Sequence, residues 1–178
     1  VTLIFYIILI GLSLSYGNIC QHFALDYCAY WSAGKIINQN DIADIYDLDL
    51  LTQFQKDIYP EGNDPDFETF AIMYLPVFII PFQFLSLINL PFSFLVWTLI
   101  NLVGFILYLR FFTREVVGGS MPFRIVMMIM LSWPVILNLF YGQVNIWLGI
   151  CAGEFIRAML SEKPFRAGLW LGGWLLKP

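Results

Sequence analysis

The sequence predicts an all-α, polytopic transmembrane helical protein whose outer loop carries a juxtamembrane helix, and two observations lead there. No charged residue occurs from Val1 to Leu25, from Thr69 to Leu109 or from Ile125 to Gly153. Uncharged runs of that length are solvated by a bilayer. The composition agrees, because 60% hydrophobic and 12% charged residues would leave a water-soluble domain short of polar surface. The net charge of -4 therefore reports one loop rather than a partner. Ten of the 13 acids lie between Asp26 and Glu68, and each would cost about 2.5 to 3.5 kcal/mol at the centre of a spanning helix. That stretch is expected outside the hydrocarbon.

The whole chain, 1–178, is expected to be the N-terminal part of one multispan membrane domain within a longer protein. Val1 already stands inside an apolar run, and Lys177 and Pro178 follow another. Residues 1–17 form the first span. The run from Leu3 to Tyr16 has neither a basic region before it nor a small-x-small cleavage site after it, so it reads as a retained signal anchor. Residues 18–69 form the outer acidic loop. Basic residues cluster at Arg110, Arg114 and Arg124 and again at Arg157, Lys163 and Arg166, whereas the acidic loop holds only Lys35 and Lys56. The positive-inside rule places the two clusters in the cytoplasm and the loop outside.

Between Phe70 and Leu109 only one crossing satisfies that orientation, although the run is long enough for two. Residues 70–90, interrupted by Pro76 and Pro81 and closed by Pro91, are therefore expected to be a broken re-entrant or juxtamembrane segment, since proline removes a backbone donor and kinks a helix. Residues 91–178 supply further spans. Phe92 to Leu109 crosses inward and Ile125 to Tyr141 returns outward. Asn145 to Met159 crosses inward again, with Glu154 and Arg157 at i, i+3 spacing where they neutralise one another. A last span starts near Arg166. This topology delivers Gly142, Gln143, Val144 and Asn145 to the same side as Asp26.

Asp26 is the first charge after the anchor. It opens a helical pattern in which Tyr27, Tyr30, Trp31, Gly34 and Ile37 share a face, as in a helix lying at the interface. The carboxylate is either an N-cap for that helix or a general base placed where lipid-borne and water-borne reactants meet. Tyr74, with Pro76 and Pro81, is either an interfacial tyrosine beside a helix breaker or part of a substrate wall. Gln143 and Asn145 are either interhelical hydrogen-bonding amides or substrate contacts, and Gly142 lets another backbone or a ligand approach. Lys177 either snorkels to the interface or neutralises a phosphate.

Asp41, Asp44, Asp47, Asp49, Asp64 and Asp66 read as turn and solvated-loop residues. No pair of them has metal-ligand spacing, and His22 has no second histidine, so no metal site is expected. Cys20 and Cys28 both fall outside and are able to pair, while Cys151 lies in a span; three cysteines define no framework. Neither G-x-G-x-x-G nor a P-loop is present, and nothing points to a cofactor or to nucleic acid.

Taken in order, Asp26 with Tyr30, Tyr46 with Asp47, Tyr74 with Pro76 and Pro81, Gly142 with Gln143 and Asn145, then Lys177 with Pro178 resemble the N-terminal half of glycosyltransferase family 87, from about Asp26 to Pro178. The resemblance implies a GT-C-like multispan enzyme of the bacterial cytoplasmic membrane. It implies transfer of a hexose, commonly mannose, from a polyprenol-phosphate donor to a lipid or glycan acceptor at the outer face, with membrane lipids as surroundings. It makes Asp26 the catalytic base, and beside it Tyr30, Tyr74, Gln143, Asn145 and Lys177 are expected to be substrate-binding. The family often has two prolines after the tyrosine, where this chain has Leu75 before Pro76. The alternative is a multispan transporter or flippase for a lipid-linked or polar solute, which expects paired broken helices in two related halves. Only one such segment is visible, and no repeat.

Overall fold

Helix follows helix through the computed structural model, which describes residues 19–22, 24–59 and 68–177 together with Gly11. Among them there is no strand. The expected first span lies outside the described residues except for Gly11. A single turn, α1 (Ile19–His22), leads into α2 (Leu25–Gln39), and a 3-10 turn (Ile42–Tyr46) and α3 (Leu48–Lys56) follow. After the undescribed stretch come α4 (Pro76–Leu85), α5 (Leu90–Val117), α6 (Phe123–Met130), α7 (Trp133–Tyr141), α8 (Asn145–Leu160) and α9 (Pro164–Gly172), which continues as a 3-10 turn (Gly173–Leu176).

Two acids of the loop, Asp44 and Asp47, serve helix starts. Asp47 caps α3, its carboxylate accepting from the backbone N–H groups of Asp49 at 3.0 Å and Leu50 at 3.1 Å. Asp44 reaches back to the N–H of Asp41 at 2.9 Å. Such contacts satisfy the amides that open a helix.

Helix α2 is more enclosed than an interfacial helix. Tyr27, Tyr30, Ser32, Ala33, Gly34 and Ile36 are all buried, and the Tyr27 and Tyr30 rings pack on Phe82 rather than facing outward. At Gly34 an added Cβ would collide with the backbone of Phe82, so the missing side chain lets α2 and α4 meet backbone to backbone. Asn38 reinforces the contact, donating to Gln83 O and Ser86 Oγ at 2.9 Å each. The stripe expected at a membrane surface is thus protein core.

Glu68 to Leu75 has no regular structure, and its backbone groups find side chains instead. Gln55, fully buried, donates to Phe70 O at 2.9 Å and accepts from Phe70 N at 2.8 Å. The Tyr46 hydroxyl donates to Tyr74 O at 2.6 Å. Helix starts at Pro76, where a missing N–H costs nothing. Pro81 lies inside α4 and does not end it. The break expected across residues 70–90 is therefore an extended arm that joins a short helix.

Helix α5 begins two residues earlier than the predicted crossing, because Asn89 caps it by accepting from Phe92 N at 3.0 Å. Its 28 residues rise about 42 Å at 1.5 Å each, and Leu90–Val116 is long and apolar enough to cross a membrane. The predicted crossing at Ile125 to Tyr141 is instead the pair α6 and α7, bent by 56°. Pro134, in the first turn of α7, cannot donate back into α6 and disfavours helix in the residue before it. The described residues thus hold one helix of spanning length and apolarity, or two if the bent pair is one broken span. Helix α8, at 16 residues, is shorter than a span needs. It pairs with α9 through Glu154, which is buried and takes both nitrogens of an Arg157 fork at 2.9 and 2.6 Å and Arg166 Nη2 at 3.4 Å. Two guanidiniums thereby compensate one buried carboxylate.

Candidate active site

The site forms where the start of α2 meets the turn between α7 and α8. Helix α2 has no capping side chain. Its N-cap is Ala24, held in the left-handed region at φ 52, and Asp26 is the second helical residue. The capping role open to Asp26 in the sequence is therefore not the one it has. No described residue donates a hydrogen bond to its carboxylate, which is half-buried.

One turn along, Tyr30 is almost fully buried and its hydroxyl lies 3.0 Å from that of Tyr74. Burial is the main cause that raises the Tyr30 phenol above its ordinary range, and the Tyr74 hydrogen bond and the nearby Asp26 charge add to it. Tyr74 is raised by burial and by Asp26, with the Tyr30 hydrogen bond opposing. Both phenols are thus neutral hydroxyls, each within electrostatic reach of Asp26. The Tyr74 ring is stacked on Phe78 at 4.6 Å between centroids.

Tyr27 links this corner to the next. Its hydroxyl bonds to Ser93, which in turn donates to Leu85 O at 2.7 Å, and its ring lies among Phe82, Phe94 and Trp97. Against Tyr27 sits Gly142, with φ +71; a Cβ there would come within 2.5 Å of Tyr27 Cβ. Only glycine combines that backbone with that approach. Trp97 Nε1 donates to Gly142 O at 2.9 Å, and Ala24 N donates to Phe140 O at 2.8 Å. Asn138 organises the turn from beneath: its carbonyl accepts from Gly142 and Gln143 and its Oδ1 accepts from Ile146 N at 3.2 Å.

On that turn the amides form a relay. Lys177 Nζ donates to Asn145 Oδ1 at 3.1 Å, and Asn145 Nδ2 donates to Gln143 Oε1 at 2.6 Å. Three residues separated by up to 34 positions are thereby joined. The six residues singled out from sequence fall into two groups, Asp26 with Tyr30 and Tyr74, and Gln143 with Asn145 and Lys177. The packing of Gly142 on Tyr27 couples them.

Below the two groups lies an apolar cavity of about 630 Å³ between α4, α5, α8 and α9, lined by Phe78, Pro81, Phe82, Trp97, Val144, Trp147 and Trp170 among others. Phe82 and Trp97 are shared between the cavity wall and the Tyr27 cluster. Sequence reasoning missed Ser93, Trp97, Asn138 and Tyr59, whose hydroxyl donates to Leu25 O at 2.9 Å beside Asp26. Asn138 alone left a signal, as an amide seven residues before Asn145 in an apolar run. The others look like ordinary interfacial or helix-face residues. Among the described residues, no three histidine, cysteine or acidic side chains gather in a metal-binding arrangement.

No curated protein and no solved structure matches the chain. One protein family does: residues 72–178 match glycosyltransferase family 87. The match takes in Tyr74, Gly142, Gln143, Asn145 and Lys177, while Asp26 and Tyr30 precede it. It extends over more than half of the 178 residues, and the chain therefore belongs to glycosyltransferase family 87.

Proposed function

We propose that this protein is a multispan, GT-C-like hexosyltransferase of the bacterial cytoplasmic membrane. It moves a hexose, with mannose the leading candidate, from a polyprenol-phosphate donor to a lipid or glycan acceptor at the outer face. The single observation that carries the reading is the pairing of an uncapping, unbonded carboxylate at Asp26 with the cationic Lys177–Asn145–Gln143 relay across the Gly142 contact. Sugar transfer from a phosphate donor needs both a proton acceptor and a counter-charge for the leaving group.

In this mechanism Asp26 accepts the proton of an acceptor hydroxyl as its oxygen forms a bond to the anomeric carbon. The bond from that carbon to the phosphate oxygen breaks, and the lipid phosphate leaves with the electron pair. The Lys177 ammonium offsets the phosphate charge while Asn145 and Gln143 hold it in place. Tyr74, neutral because burial raises its phenol, offers its hydroxyl to the sugar, and the Tyr30 hydroxyl bonded behind it completes the contact. Phosphate is already a competent leaving group, so the protein's main task is orientation. The apolar cavity under the relay suits the isoprenoid chain, since hydrocarbon leaving one apolar medium for another meets no penalty. The Cys20–Cys28 disulfide agrees with the outer placing of α2, because such bonds persist on the oxidising side of a membrane.

The test is transfer of label from radiolabelled polyprenol-phosphate mannose to lipid by the full-length protein in membranes. Asp26→Asn, which keeps size and helix position, is expected to lower the rate by about 10²- to 10⁴-fold, the usual share of a general base, with the protein still folded. Equal transfer by both proteins would remove Asp26 from the chemistry. Transport of an intact lipid-linked sugar without label on an acceptor would favour the flippase instead.

A further inference from the structure

We infer that the Cys20–Cys28 disulfide is the positioning device for Asp26, so that the carboxylate takes its working place only after this bond has formed. The inference rests on the functional reading above for its kinetic part alone. The bond joins α1 to α2 across eight positions, and the ring it closes contains Ala24, Leu25, Asp26 and Tyr27. Both half-cystines are fully buried.

The staple matters because, among the described residues, no side-chain hydrogen bond holds the carboxylate. Asp26 receives no hydrogen bond from a described residue, so its backbone alone sets its position. That backbone starts at a helix end without a capping side chain, on an alanine in the left-handed region at φ 52 and ψ 22. A side chain disfavours this conformation, and it persists only where surrounding contacts over-determine it. Four do so here. Ala24 N donates to Phe140 O at 2.8 Å and Cys28 N to Ala24 O at 2.7 Å, the Tyr59 hydroxyl donates to Leu25 O at 2.9 Å, and the disulfide ties Cys28 to α1. The first three are hydrogen bonds of ordinary strength, each able to exchange; the fourth is covalent. Cys20 and Cys28 are thus positioning residues, and they act on Asp26 through the corner at Ala24.

Reduction breaks the S–S bond and forms two S–H groups, with two electrons and two protons supplied by a small dithiol that closes to its own cyclic disulfide. Because both sulfurs are buried, a dithiol reaches them only when the corner opens. Variants therefore test the point more directly than reductant alone.

The experiment uses full-length protein in membranes, as wild type, as Cys20→Ala/Cys28→Ala, and as wild type reduced with dithiothreitol and kept in it. The reduced preparation lacks the bond but keeps the native sequence and adds no bulk at the buried sulfurs, so it stands in if the alanine variant does not fold. Peptide mass after denaturing alkylation is expected to find Cys20 and Cys28 unlabelled until reduction. Hydrogen exchange is expected to rise at Ala24 to Tyr30 in both bond-free preparations while Leu90–Val117 is unchanged. Transfer is expected to lose about 10- to 100-fold in kcat, the scale of a small misplacement of a reacting group, with KM for the donor held. A lesion that merely unfolded the protein would raise exchange throughout and move KM as well. Alkylation of both cysteines without reduction, or wild-type exchange at Ala24 to Tyr30 without the bond, overturns the inference. Should wild type transfer no sugar, the functional reading fails, and the exchange measurement alone decides the staple.

Discussion

At the scale of single residues, Gly142 bears more constraint than any polar group of the site. It ends α7 at φ +71, receives Trp97 Nε1 on its carbonyl, and presents a bare Cα to Tyr27. Gly142→Ala meets two penalties at once: a side chain in the left-handed region costs about 1 to 2 kcal/mol, and a methyl pressed on Tyr27 adds about 1 to 3 kcal/mol of overpacking. Thermal unfolding in detergent micelles is expected to report a loss of that order, with the Asp26 side of the site displaced along with Tyr27. A wild-type melting curve would mean that the turn has room that its geometry denies. The sequence makes Gly142 stand out as a close-approach residue but is silent on what approaches. Tyr27, the neighbour of Asp26 in sequence, comes to Gly142 only through a contact 115 positions long, and no local pattern encodes that. For the same reason Lys177, Asn145 and Gln143 are legible as three separate candidates, and their relay is not.

At the scale of elements, the arm from Glu68 to Leu75 explains how an irregular segment comes to wall a site. Its order depends on Gln55, whose amide satisfies both backbone groups of Phe70 from a fully buried position. Gln55→Leu keeps the bulk of the side chain but removes both hydrogen bonds to the exposed Phe70, at about 0.5 to 1.5 kcal/mol for each. Faster hydrogen exchange from Phe70 to Tyr74, without change in α5, is the expected outcome; a protected arm would show that Tyr46 and the stacking of Tyr59 on Phe70 suffice. The prolines of this region locate the element without giving its shape. Pro76 starts a helix and Pro81 is carried within one, because a proline marks only a missing donor. Whether the chain breaks there depends on what packs beside it, here the Gly34 contact with Phe82. The aromatic stripe of α2 misleads in a similar way. Periodicity identifies its face correctly, but apolar core and membrane interface ask for the same side chains.

At the scale of the whole molecule, the placing of charge yields an expected orientation. The helical class is plain from the uncharged runs, and α5 has the length and apolarity of a span. The bend between α6 and α7 is less legible, since Pro134 has to be weighed against an otherwise continuous apolar run. If α5 crosses once, its two ends lie on opposite sides: the acidic segment with α2 and α3 outside, and the loop at Gly118 to Pro122 with Arg110, Arg114 and Arg124 inside. Substituted-cysteine labelling of full-length protein in intact cells separates the possibilities. Cys151→Ala removes the buried free thiol, and single cysteines are then placed at Asn40 and Ser120, both exposed. An impermeant maleimide is expected to label Asn40→Cys in intact cells and Ser120→Cys only after permeabilisation. Labelling of both from outside would mean that α5 does not cross, and the arm at 68–75 could not then share a membrane face with the Lys177 relay. Labelling of Ser120→Cys alone would invert the protein, leaving Asp26 in a reducing compartment where the Cys20–Cys28 bond does not persist. One experiment on two exposed positions thus tests the orientation on which the donor's side of entry, the disulfide and the approach of an outer-face acceptor all depend.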